Sequence, residues 1–121
     1  MAAPNIVNVT SIYGKSVGAA LTITSADILT NSAASGKVFK VNAVYVANVD
    51  GTNNADVTVT WFDSSAAATY NLAKTVTVPA DATLVVVDKD AQLYLEEGDK
   101  ISALASVVGD LEITISYDDI A

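Results

Sequence analysis

Residues 55–62 read ADVTVTWF, in which Val57, Val59 and Trp61 alternate with Asp56, Thr58 and Thr60. A period of two sends successive side chains to opposite faces of an extended chain, so the stretch reads as a strand with one buried and one wet face. The same rhythm runs through residues 111–117, LEITISY, where Leu111, Ile113, Ile115 and Tyr117 alternate with Glu112, Thr114 and Ser116. Residues 37–49, KVFKVNAVYVANV, carry it too. There Phe39, Val41, Ala43, Tyr45, Ala47 and Val49 fall on one side, with Lys40, Asn42 and Asn48 on the other. By this parity both Tyr45 and Trp61 are expected in the core.

Turn chemistry separates these runs. Asp50-Gly51 opens DGTNNAD, Pro79 interrupts VPADAT, and Gly98 and Gly109 supply the positive φ of tight reversals. The spacing predicts strands at about 6–13, 19–24, 37–49, 55–62, 69–78, 82–88, 91–96, 100–107 and 110–117. Eight or nine short strands of this kind predict an all-β chain, an antiparallel β-sandwich or jelly roll. Between the second and third strands, SADILTNSAASGK reads either as one helical turn capped by Ser25, with Asp27 near its start, or as a long loop. Residues 1–5 lack any periodic pattern and read as an N-terminal arm, leaving 6–121 as a single sandwich domain.

Composition narrows the function classes. Of 121 residues, 51% are hydrophobic and only 17% charged, which suits outer faces partly covered by neighbours. The net charge is −8, with six lysines and no arginine, so phosphate-rich partners such as nucleic acid and anionic membranes are disfavoured. Cysteine and histidine are both absent, which removes disulfides, thiolate nucleophiles, Cys/His zinc sites and every His-dependent triad. Any catalysis would fall to carboxylates, lysines or tyrosines. The opening MAAPNIVNVTSIYGK has no basic region followed by a long apolar run, and no stretch is long enough for a membrane helix, so a soluble protein is expected.

Two acidic clusters invite a chemical reading. In LYLEEGDKI, Leu93 and Leu95 point inward, and Glu96, Glu97, Gly98 and Asp99 reverse the chain before Ile101 resumes the alternation. Paired catalytic carboxylates must face each other across a substrate in unlike environments, whereas adjacent acids on an exposed hairpin share water. The turn reading is preferred. In NVDGTNNAD, Asn48, Asp50, Asn53, Asn54 and Asp56 supply oxygens of the kind calcium takes, but without the spacing of an EF-hand loop, and a solvated hairpin loop is preferred. Lysines 15, 37, 40, 74, 89 and 100 read as solvated, with Lys40 guarding an edge or meeting a partner's acid. Asp118 and Asp119 read as solvating the chain exit, with Ile120 free to pin it to a neighbour. The sequon Asn8-Val9-Thr10 reads as chance. No catalytic, cofactor-binding or metal residue is assigned, and no cofactor is expected.

The second half of the chain, from TVTVPADATLVVVDKDAQLYLEEGDKISALAS (75–106) to LEITISYDDIA (111–121), resembles small virion structural proteins of tailed bacteriophages, notably cyanobacterial and marine phages. The opening MAAPNIVNVTSIYGK is similar to their starts. The resemblance implies a β-sandwich subunit without enzymatic activity, made in the host cytoplasm and carried in many copies on the virion. Its expected place is the capsid surface, as a decoration or cement protein packed on the major capsid protein, with a neck, collar or tail part as the alternative. A carbohydrate-binding adsorption module is the other. A homo-oligomer is expected, a trimer at a local threefold axis being one arrangement that satisfies strand edges.

Overall fold

Valine, isoleucine and threonine crowd the alternating stretches, and their branched side chains favour extended backbone. In the computed structural model, which describes residues 4–121, nine strands form among the described residues. They are β1 (Ile12–Ala20), β2 (Ala26–Thr30), β3 (Val38–Asn48), β4 (Ala55–Asp63), β5 (Ala68–Val78), β6 (Thr83–Val87), β7 (Leu93–Leu95), β8 (Lys100–Ala105) and β9 (Leu111–Ile120). The first sheet runs β1-β9-β3, and β6 and β7 share the far edge of β3: β7 pairs with Phe39 to Val41, and β6 with Val44 to Ala47. The second sheet runs β2-β8-β4-β5, and every pairing in both sheets is antiparallel. The expected all-β sandwich is therefore the observed fold.

The core is the layer where the inner faces meet. Val41, Val44, Val46, Ile113 and Ile115 from the first sheet pack with Val57, Val59, Ile101, Ala103 and Ala105 from the second. One residue decides how β3 contributes to that layer. The pairing of β3 with β9 shifts between Val41 and Ala43, so Asn42 is an extra residue without a partner, a β-bulge. A bulge advances the strand by one residue and exchanges its faces. Phe39 and Val41 are buried before it, and Val44, Val46 and Asn48 are buried after it. This corrects the uninterrupted alternation expected for 37–49. Tyr45 is turned out to solvent, and Asn48, assigned to the wet side, is only 3% exposed.

The first third also departs from expectation. The strands placed at 6–13 and 19–24 lie instead at Ile12–Ala20 and Ala26–Thr30, so SADILTNSAASGK holds β2 rather than a helical turn or an unbroken loop. Lys40 sits on β3, bonded on both sides, and guards no edge. Trp61 is half-buried rather than a core residue. The expected arm begins in residues 1–3, which lie outside the described residues. Beyond them, the Asn5 side chain accepts from Val7 N (3.0 Å) and its carbonyl from Asn8 N (3.0 Å), forming a local turn. The exit is ordered as well: Ile120 packs inside the chain at 5% exposure, and Ala121 exchanges backbone hydrogen bonds with Ser11.

Deleting Asn42 should remove the bulge and leave Ala43 alone opposite Ser116, with Val41, Val44 and Val46 still turned inward and Tyr45 outward. The deletion variant is therefore expected to keep a cooperative thermal transition by circular dichroism. Loss of that transition would contradict the bulge assignment, because in an unbulged strand the deletion would expel both Val44 and Val46, at about 1.5–3 kcal/mol each a large part of a small domain's stability.

Candidate functional site

Both acidic clusters sit at ends of the sandwich, where loops pass between the sheets. LYLEEGDKI is the crossing from β7 in the first sheet to β8 in the second, not a hairpin. Its reversal is closed by Asp99 N donating to Glu96 O at 3.0 Å, with Gly98 at φ +88°. A Cβ on Gly98 would lie 2.5 Å from Ser64 Oγ, so both the backbone angle and the space demand glycine. Asp99 is not in water: it is 1% exposed, and its two carboxylate oxygens accept from Ser64 N (2.9 Å) and Glu96 N (3.0 Å). Glu97 caps the neighbouring loop by accepting from Gly36 N at 3.0 Å.

The sequence reading overlooked the residue that ties this end together. Asn31 is fully buried, and its Nδ2 donates to Lys37 O (2.9 Å) and Leu95 O (3.0 Å), while Oδ1 accepts from Ser35 Oγ at 2.5 Å. Its backbone N donates to Asp99 O and its carbonyl accepts from Gly98 N. Asp63, Glu96 and Asp99 bring carboxylate oxygens within 4.8 Å of one another, the one such acidic group found among the described residues. Asp99 already has two backbone donors, and Asp63 Oδ1 accepts from Ser65 N (3.2 Å) and Ser65 Oγ (2.8 Å). These acids shape turns.

At the opposite end, NVDGTNNAD is organised in the same way. The buried Asn48 donates through Nδ2 to Asn53 O (3.0 Å) and Val78 O (2.9 Å), and its Oδ1 accepts from Asp50 N at 2.9 Å. Asp50 Oδ1 accepts from Thr52 N and Asn53 N, and Oδ2 from Asn53 Nδ2. Asn54 Oδ1 accepts from Ala80 N, and Asp56 Oδ1 from Thr77 Oγ1. Side-chain oxygens of Asn48, Asp50, Asn54 and Asp56, four of the five calcium candidates, thus accept from N–H and O–H groups of this loop or of Thr77 and Ala80. Hydrogen bonds from Thr52 and Asn53 hold the Asp50 carboxyl below its usual range, whereas desolvation and then the charge of Asp50 push Asp110 up.

The lysines divide. Lys74 and Lys89 are exposed, as expected, whereas Lys15 and Lys37 converge on one acid, donating to Asp119 Oδ2 at 2.8 and 3.3 Å. Asp119 is 3% exposed, which corrects its reading as a solvating tail residue. Burial pushes its carboxyl up, but the hydrogen bonds and charges of the two lysines outweigh that and hold it below the usual 3.8. The same hydrogen bond raises Lys15 above its usual 10.5. Elsewhere Lys100 and Ser102 share Asp27, whose carboxyl is lowered chiefly by the Ser102 hydroxyl at 2.7 Å. An open groove of about 660 Å³ is lined mainly by apolar side chains, Ile6, Val38, Trp61 and Leu93 among them, with Glu96 also in its lining. Trp61 Nε1 is buried and finds no hydrogen-bond partner among the described residues.

No protein-family model matches the chain, and no curated protein matches it. Among solved structures it is similar to a Bacillus chain described as "Bacillus endospore appendages form a novel family of disulfide-linked pili", with a TM-score of 0.53 and 13% identity, covering 91% of this chain and 87% of that one. At that identity the likeness is one of fold.

Two charge variants should move stability in opposite directions. Because Asp119 binds its proton less tightly in the folded chain, its stabilisation is full above 3.8 and is lost as pH falls through the lower folded value. Asp119→Asn should therefore melt below the parent at neutral pH, the gap closing in acid; a gap unchanged at low pH would rule out the ion pair as its source. Asp110, raised, opposes folding once ionised, so Asp110→Asn should melt above the parent at neutral pH and lose that advantage in acid. Melting curves at several pH values read both.

Proposed function

We propose that the chain is a structural subunit without catalytic activity, carried in many copies on a larger particle. The observation that carries this reading is the use of its buried acids. Asp99 is held by backbone N–H groups and Asp119 by two lysines, so the acids removed from water brace the frame rather than face a cleft. The fold shared with the endospore pilus chain supports an assembly role. Its name speaks of disulfide links, and this chain, with no cysteine, has to be joined to its neighbours without them.

The finer reading is a virion protein of a tailed phage, clamped on the capsid surface as a decoration or cement protein. The resemblance of residues 75–106 and 111–121 to such proteins supports it, and the net charge of −8 fits a partner other than nucleic acid. Burial of apolar surface against the major capsid protein would supply the affinity, repeated over symmetric sites. The arm at residues 1–5 is assigned to that contact. A second reading, an adsorption module stacking sugars, draws on the exposed Tyr70, whose ring lies 5.6 Å from that of Trp61.

Electron cryomicroscopy of purified particles should show the sandwich repeated at symmetric shell positions; density confined to the tail, or a chain missing from the particle, would overturn the capsid reading. A variant lacking residues 1–5 should keep the parent's melting temperature and attach at least tenfold more weakly. Equal attachment would remove the arm from the contact.

A further inference from the structure

The sandwich has unequal edges. In the second sheet, β2 is five residues long with a register shift between Asp27 and Leu29, and β5 carries two shifts against β4 and a left-handed Thr75 at φ 51°. On the far side of the first sheet, β6 and β7 are five and three residues long. Shortness, bulges and local twist are the features that keep an exposed edge from accepting another strand. Strand β1 has none of them. It is nine residues long, in unbroken register with β9 from Ile12↔Ile120 to Ala20↔Glu112, and it contains no proline. Its one charged side chain, Lys15, is engaged with Asp119.

Which backbone groups of β1 are free follows from its two ends. Ser11 N donates to Ala121 O, Ser11 O accepts in return from Ala121 N, and Leu21 N donates to Leu111 O. Odd-numbered residues therefore bond β9 throughout the unbroken register. Ile12, Gly14, Ser16, Gly18 and Ala20 turn N–H and C=O away from β9, and no hydrogen bond to these groups is found among the described residues. The outward-turned positions are also the sterically open ones: two glycines, a serine and an alanine, with only Ile12 large.

We propose that β1 is a self-association edge, on which two copies of the chain pair antiparallel about a two-fold axis at Ser16. Outward residues have to face outward residues, and centring on Ser16 uses all five. Ile12 then lies opposite the second copy's Ala20, Gly14 opposite its Gly18, and Ser16 opposite its counterpart, each pair exchanging two hydrogen bonds. The intervening residues fit as well. Lys15 meets Val17 rather than another Lys15, and the exposed Tyr13 covers Ala19, so no like charges are opposed. This self-complementary register is what selects a second copy as the occupant, and it joins two first sheets into one continuous sheet. The contact does not depend on which particle carries the assembly.

The test uses the full chain. Analytical ultracentrifugation over a concentration series should show a monomer–dimer equilibrium. Amide exchange followed by NMR should show alternation: at high concentration all β1 amides are protected, and on dilution Ile12, Gly14, Ser16, Gly18 and Ala20 lose protection while the odd-numbered amides keep theirs. Ser16→Pro removes an outward N–H without breaking a bond to β9, and Gly18→Lys places a charged chain at the edge. A Cβ on Gly18 comes no closer than 3.5 Å to Ile113 O, so the second variant should fold even if the first does not. Each should raise the dimer dissociation constant at least tenfold with an unchanged melting temperature for Gly18→Lys. A monomer at every attainable concentration, a dimer whose even-numbered β1 amides exchange as in the monomer, masses growing past two chains, or dimerisation untouched by Gly18→Lys would each overturn the proposal.

Discussion

The register of β3 is the constraint on which the rest of this structure depends. That strand is bonded along one side to β9 and along the other to β6 and β7, so its inner face supplies the middle of the core. The extra residue at Asn42 sets which face that is. With the faces exchanged halfway along, Val44 and Val46 enter the core and Asn48 arrives at the end of the sandwich pointing inward. A buried amide without partners would cost about 1–3 kcal/mol. Here Asn48 finds two carbonyls and a backbone N–H, and so fastens the loop at 48–54 to the end of β5.

The opposite end repeats the solution with different residues. Asn31 and Asp99 are both buried and both engaged with backbone from other segments, linking the β2–β3 connection, the β4–β5 connection and the crossing from β7 to β8. Polar side chains so placed specify which loops meet, because each leaves unsatisfied groups in any other arrangement. The same economy bears on function. Both oxygens of Asp99 are taken up by backbone donors, and Asp119 is held in its charged form by two lysine ammonium groups. These buried acids join segments of the frame that lie far apart in the chain.

From Val38 onward the strands were legible because branched apolar residues alternate with polar ones and Gly, Pro, Asp and Asn stand between them. The bulge was not legible: β3 is apolar on both parities, with Phe39, Val41 and Ala43 on one and Val38, Val44 and Val46 on the other, so an unbroken alternation looked equally good. The early strands were misplaced for a related reason. In β1, IYGKSVGAA, glycine and alanine dilute the period, and in β2, ADILT, a register shift between Asp27 and Leu29 leaves Ile28 out of step. Asp119 escaped notice because its partners lie 104 and 82 residues away in the chain, a pairing that only the sheet order brings together. The turn at Glu96–Asp99 was read correctly as a reversal but not as a passage between sheets, since a turn motif does not state which strands it joins.

The absence of cysteine makes the β3 register directly measurable, because a single introduced thiol is the only one in the chain. Rates of thiol labelling under native conditions should be compared for Val44→Cys, Tyr45→Cys and Val46→Cys. The account predicts fast labelling at 45 and labelling at 44 and 46 only as the protein unfolds. Fast labelling at 44 and 46 with protection at 45 would contradict it.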